Sequence, residues 1–197
     1  MLNMSPILWD RLSKVRLFVP KANLVTLRPL ERNDLDLVAG WRQSPEGSSA
    51  FFSSEPVTYS GQSLWYDAYL RDKSDMMFLI CDGDLTPVGT ISLVDVDHRN
   101  QKAEFGRLLI ASPENRGKGL AMLASKKLLD FGRNQLNLTK IYLYVFSTNS
   151  RAISLYKKLG FQAEGCFAGD IFSEGQWQDV IRMAVIFEDN RTGRCLE

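Results

Sequence analysis

The sequence has a single histidine, His98, and only three cysteines, Cys81, Cys166 and Cys195. One histidine excludes a His-rich metal site. An odd cysteine count with no paired spacing gives neither a disulfide framework nor a zinc pattern, so no metal is expected. Reduced thiols in a reducing compartment fit this usage. Long apolar runs are missing too: the longest, such as residues 141–146, are far below the roughly 18 residues a membrane span needs. No sign of charge dominates. The 24 Lys and Arg against 23 Asp and Glu leave a net charge of +1, which supplies no overall field for nucleic acid. Residues 1–20 mix apolar residues with Asp10, Arg11, Lys14 and Arg16, and lack the apolar core and cleavage site of a secretion signal. The expectation is a cytoplasmic protein that binds neither membrane nor nucleic acid. A composition of 45% hydrophobic and 24% charged residues is an ordinary globular balance.

The 197 residues suit one main domain. It is expected over residues 24–188, after an N-terminal extension (1–23) and before a frayed tail (189–197). In the extension, Ile7, Leu8, Leu12 and Val15 have helical spacing. Residues 24–28 read as a strand. A helix follows, capped by Asn33 or Asp34 and carrying Leu35, Leu37, Val38 and Trp41. A second helix spans residues 60–71. Three strands come next, at 76–81, 88–96 and 102–110. A glycine-containing turn at 113–119 leads into a long amphipathic helix over 120–136. Residues 140–146 alternate as a strand covered on both faces. A helix over 149–159 ends at Gly160, and residues 161–171 and 177–187 close the chain as a hairpin. The fold class is α/β, with a mixed sheet and helices on its faces.

The sharpest local signal is Asn115-Arg116-Gly117-Lys118-Gly119-Leu120-Ala121, between a strand and a helix N-terminus. Glycines let the backbone turn with its N–H groups exposed. The helix start adds unpaired donors and partial positive charge, and Arg116 and Lys118 add full charges. Such a segment suits a pyrophosphate; a glycine turn with solvated cations is the plain alternative. Neither a P-loop nor a dinucleotide fingerprint is present. The segment resembles the acetyl-CoA pyrophosphate loop of the GNAT acetyltransferase superfamily, Q/R-x-x-G-x-G/A. Downstream, residues 149–161, Asn-Ser-Arg-Ala-Ile-Ser-Leu-Tyr-Lys-Lys-Leu-Gly-Phe, resemble that family's N-x-x-A-x-x-x-Y-x-K-x-G-F stretch. The two motifs stand in the family's order.

The resemblance implies a GNAT-like acyl-CoA acyltransferase fold, a mostly antiparallel sheet of roughly six to seven strands flanked by about four helices. It implies acetyl-CoA as the acetyl donor and direct attack by an amine. The cofactor residues it points to are Leu108, Leu109 and Ile110 of the strand, Arg116, Gly117, Lys118, Gly119, Leu120 and Ala121 of the loop, and Asn149 and Tyr156 of the later helix. Tyr156 matches the general acid near the CoA sulfur; an unperturbed phenol, with pKa near 10, is protonated at neutral pH. Without the motif it would read as a packing tyrosine. Glu104 lies on an otherwise apolar strand face and matches the acidic residue used as base or water relay; a salt bridge with Arg107 or Lys102 is its plain reading.

For the acceptor, Trp41-Arg42-Gln43-Ser44-Pro45-Glu46 and Glu55-Pro56-Val57-Thr58 are similar to a pattern in members that acetylate nucleotide-linked amino sugars. That makes an amino sugar the first expectation, with Arg42, Glu55 and Glu104 as substrate-binding residues. Segments 103–105, 136–140 and 156–165 are similar to polyamine-acetylating members, the alternative. A protein N-terminus and a non-catalytic acetyl-CoA-binding module are further alternatives. The closing strand and the N-terminal arm make a homodimer the expected assembly.

Overall fold

The computed structural model describes residues 25–44, 47, 59–173 and 175–187. The expected N-terminal helix and the tail lie outside these residues. Strand β1 (Thr26–Pro29) is followed by a short 3-10 turn, Arg32–Asp34, and helix α1 (Leu35–Gln43). Asp34 was expected to cap α1. Its carboxylate instead reaches backwards, accepting from the Glu31 N–H at 2.8 Å and from both terminal nitrogens of Arg28 at 2.8 Å. A planar guanidinium offers a better partner than one backbone N–H, so the ion pair takes the side chain. Helix α2 (Tyr59–Tyr69) and strands β2 (Met76–Cys81), β3 (Pro87–Asp97) and β4 (Lys102–Ile110) follow. After a 3-10 turn at Pro113–Asn115 come helix α3 (Leu120–Asn134), β5 (Lys140–Phe146), α4 (Ser150–Lys158), β6 (Gln162–Ser173) and β7 (Gln176–Ile186).

The seven strands form one mixed sheet in the order β1-β2-β3-β4-β5-β7-β6. All pairings are antiparallel except β4 with β5. One face packs on α3. There Ile91, Leu93, Ala103, Phe105, Ile141 and Leu143 meet Ala124, Leu128, Leu129 and Phe131 of the helix. The apolar residues on the solvent-distant stripe of α3 make this burial favourable. The other face, over β1 and β2, is covered by α1 and α2 through Leu35, Val38, Tyr66, Tyr69, Met77 and Leu79. No helix among the described residues is long and apolar enough to cross a membrane.

Candidate active site

The site starts from an interruption in the sheet. β4 and β5 pair only over Lys102–Lys140, Ala103–Ile141 and Glu104–Tyr142. Past Glu104 the two strands diverge. The cause lies on the other edge of β4. Between the pairs Thr90–Leu109 and Ser92–Gly106, one residue of β3 opposes two of β4. This bulge centres on Arg107, whose φ is +52°. A non-glycine residue in the left-handed region is strained and needs its surroundings to hold it. Arg107 is held at three points. Its guanidinium makes a two-pronged pair with buried Asp75, at 2.6 and 2.8 Å. Its carbonyl accepts from Thr90 Oγ1 at 2.8 Å. Its cation lies 5.8 Å from the centre of the Trp65 ring on α2. The bulge bends β4 away from β5 and opens a cleft between them.

This arrangement predicts that Arg107→Ala lowers the unfolding free energy by roughly 2–3 kcal/mol, since Asp75 is left buried without its partner. Arg107→Gly loses the same pair but relieves the backbone, so it should cost less than the alanine variant. Urea unfolding of the two variants checks the order. An alanine variant as stable as wild type would show that the pair does not hold the bulge.

The cleft is a cavity of about 830 Å³, walled by residues 104–110 of β4, residues 144–146 of β5, the glycine loop and α4. The loop closes one end. Gly117 and Gly119 have φ of +77° and +81°, and α3 starts directly after Gly119. A Cβ at either glycine would meet nothing within 4 Å, so the demand for glycine here is conformational. The N–H groups of the first turn of α3 have no acceptor within the helix and point at the cleft end. Arg116 folds back on the strand, its Nε donating to Ile110 O at 3.1 Å and its Nη2 to Ala111 O at 3.0 Å. It therefore braces the loop against the end of β4 as well as bringing charge to it. Lys118 is exposed, with Nζ 3.4 Å from Asn115 Oδ1, and stands outside the cavity wall. Leu108, Leu109, Ile110, Gly117, Gly119, Leu120, Ala121, Asn149 and Tyr156 all line the cavity.

Tyr156 comes from α4 and is half-buried. Its ring packs edge-on against Phe105 at 5.7 Å and lies 5.8 Å from Phe161. Burial pushes its phenol up to about 12, so the proton stays on oxygen throughout the neutral range. Asn149 caps the same helix, its Oδ1 accepting from the Ala152 N–H at 3.0 Å. The cap and a place on the cavity wall thus coincide in one residue.

Glu104 lies where β4 and β5 part, opposite Tyr142. Arg107 is committed to Asp75, so the salt bridge open to it from sequence goes elsewhere. Burial and nearby Asp95 raise the Glu104 carboxyl above the ordinary carboxylate range, against the opposing pull of Arg107 and Arg182. Arg182 of β7 lies over the Tyr142 ring at 4.5 Å and the Tyr144 ring at 5.6 Å, with Glu164 3.3 Å from its Nε. Arg42, at the end of α1, is half-buried, and burial and the nearby Arg107 cation lower its pKa. It is not on the cavity wall. Glu55 lies outside the described residues. Sequence reasoning passed over Asp75, Thr90, Ser92, Tyr144 and Arg182. Only the tyrosine alternation on β5 carried a local signal for one of them.

The acetyltransferase (GNAT) domain profile matches residues 25–162, and the chain belongs to this family. Spermidine N(1)-acetyltransferase of Escherichia coli K12 is 39% identical over 168 residues, 85% of this chain and 88% of that protein. The Vibrio cholerae spermidine N(1)-acetyltransferase is 32% identical over 162 residues, 82% of this chain and 92% of that protein. A crystal structure of spermidine N-acetyltransferase from Vibrio cholerae in complex with CoA and spermine superposes with a TM-score of 0.77. The identity is 32%, covering 83% of this chain and 95% of that one. The protein is an N-acetyltransferase that takes its acetyl group from acetyl-CoA.

The residues present fit that donor. The parted strands leave residues 108–110 of β4 without a β5 partner along the cleft, and the left-handed glycines and the start of α3 offer N–H groups for a pyrophosphate. Acetyl-CoA supplies an activated thioester carbonyl. Toward that donor the chain would supply orientation along β4, a carboxylate beside the opening and a protonated phenol at Tyr156.

Proposed function

We propose that the protein acetylates a primary amine of a polyamine such as spermidine or spermine. The similarity to the E. coli spermidine N(1)-acetyltransferase, 39% identity across 85% of the chain, carries this reading. It displaces the nucleotide-linked amino sugar as the first reading. The acceptor amine arrives as an ammonium ion and must lose a proton before it can attack. Glu104 accepts that proton; its raised carboxyl sits closer to neutral pH than an ordinary carboxylate, as a base needs. Backbone N–H groups of β4 steady the charge that develops on the carbonyl oxygen. Tyr156 gives its proton to the departing sulfur.

One observation favours a second reading. Arg42 is a half-buried cation, which suits a phosphate-bearing acceptor better than a polycation; Arg107 beside it is neutralised by Asp75 and adds no free charge. An acceptor panel separates the two. CoA release is followed with spermidine, spermine, UDP- and dTDP-linked amino sugars, and peptides with free N-termini. Turnover with the polyamines is expected, and turnover confined to amino sugars would transfer the assignment to the second reading.

The outer sheet edge also supports self-association. β6 is a long exposed edge strand, and at the hairpin end its Phe172 and Trp177 of β7 are 59% and 67% exposed. A Vibrio cholerae spermidine N-acetyltransferase forms a dodecamer. An exposed apolar edge of this kind is a natural pairing surface between copies.

A further inference from the structure

The Nε of Arg182 on β7 is buried and makes no hydrogen bond among the described residues. The Glu164 carboxylate, 3.3 Å away, meets its charge without completing that bond. A buried donor without an acceptor is costly and calls for an explanation. The guanidinium instead lies 4.5 Å from the centre of the Tyr142 ring and 5.6 Å from that of Tyr144. A cation and a ring attract at such distances. The two rings meet edge-on, 5.9 Å apart, and Tyr144 also lies 6.2 Å from the Phe167 ring of β6. Tyr142 stands opposite Glu104 in the last pair before β4 and β5 part, and Glu104 and Tyr144 line the cavity. Paired positions in a sheet present their side chains on one face. One row thus runs from Glu164 through Arg182 and Tyr142 to Glu104, across four strands. Its charges do not cancel. Glu164 also pairs with Lys140, so two cations share one carboxylate and leave one positive charge. Arg107, the other cation near Glu104, is matched by Asp75.

We propose that Arg182 is a positioning residue for the reaction: paired with Glu164 and set over Tyr142 and Tyr144, it fixes the tyrosine wall beside Glu104, and with it the place where Glu104 meets the acceptor amine. The inference deepens the reading above and rests on Glu104 as the base. Its two parts are separable. The planar guanidinium holds both rings, and a lysine would keep the charge but lack that plane. The positive charge, two strands from Glu104, favours the ionised carboxylate. The charged and titratable groups facing Glu104 are Asp95 from β3, Arg107 from β4, Tyr142 from β5 and Arg182 from β7.

Three substitutions distinguish this role from plain packing. Each is assayed with the amine that the acceptor panel turns over, spermidine being expected. The readouts are kcat/KM at a pH above the acidic limb, the position of that limb, and CoA affinity by titration. Arg182→Lys keeps the charge and loses the plane. It should lose about tenfold in kcat/KM, because a small misplacement of reacting groups is costly, and keep the wild-type limb and CoA affinity. Arg182→Met should lose as much and also move the limb to higher pH by roughly half a unit, because the carboxylate loses a nearby cation. Glu164→Gln, a change at a more exposed side chain, should move the limb to lower pH, because the Arg182 charge is then less offset. Opposite shifts from the two members of one ion pair are not what lost packing produces. Wild-type kcat/KM and limb in both Arg182 variants would overturn the proposal. So would limb shifts in the same direction in Arg182→Met and Glu164→Gln. Glu104→Gln separates the two levels. If it keeps the acidic limb, the base assignment falls; if it loses that limb while both Arg182 variants behave as wild type, only the role of Arg182 falls.

Discussion

Tyr156→Phe is expected to lower kcat by roughly 10²–10⁴-fold, the range a positioned acid contributes. CoA affinity should change little. Phenylalanine keeps the ring that packs on Phe105 and Phe161 and removes only the proton donor. The apolar surroundings that raise the phenol to about 12 also set the pH dependence. An acid must be protonated, and activity is lost as pH rises through its pKa. For Tyr156 that point lies near 12, so the wild type should show no falling alkaline limb from this group up to about pH 10. Steady-state kinetics and CoA titration on the variant decide it. Wild-type kcat would remove Tyr156 from the chemistry, and lost CoA affinity would mark it as a packing residue of the cleft.

Glu104→Gln is expected to lower kcat/KM by a similar 10²–10⁴-fold at neutral pH and to flatten the acidic limb. A base must be deprotonated, so activity is lost as pH falls through its pKa. Burial and Asp95 raise that value, so the wild-type limb should lie above the usual carboxylate range. Glutamine preserves size and one acceptor oxygen but cannot take the proton. A pH–rate profile from pH 5 to 9 checks both parts. A variant with the wild-type acidic limb would assign that limb to another group.

Periodicity made the element order legible, because each strand and helix buries one face against a neighbour. The long helix after the glycine loop was expected over residues 120–136 and is found at Leu120–Asn134. The loop itself was legible because Gly117 and Gly119 take a backbone shape that other residues avoid. What stayed hidden depends on distant partners. Arg107 takes a left-handed φ with no glycine to announce it, and the partners that hold it are distant in sequence: Asp75, 32 residues earlier, grips its guanidinium, and Thr90 its carbonyl. The parting of β4 and β5 follows from that bulge, so no local pattern announces it. Asp34 looked like a helix cap until Arg28 claimed its carboxylate.

The account places the acetyl donor along β4 between the parted strands, with its pyrophosphate at the start of α3. Hydrogen exchange on the amides of the full chain, with and without saturating CoA, tests that placement most directly. Slowed exchange is predicted at residues 108–110 and 117–121, where backbone groups would gain partners. CoA binding that protects neither segment would contradict it.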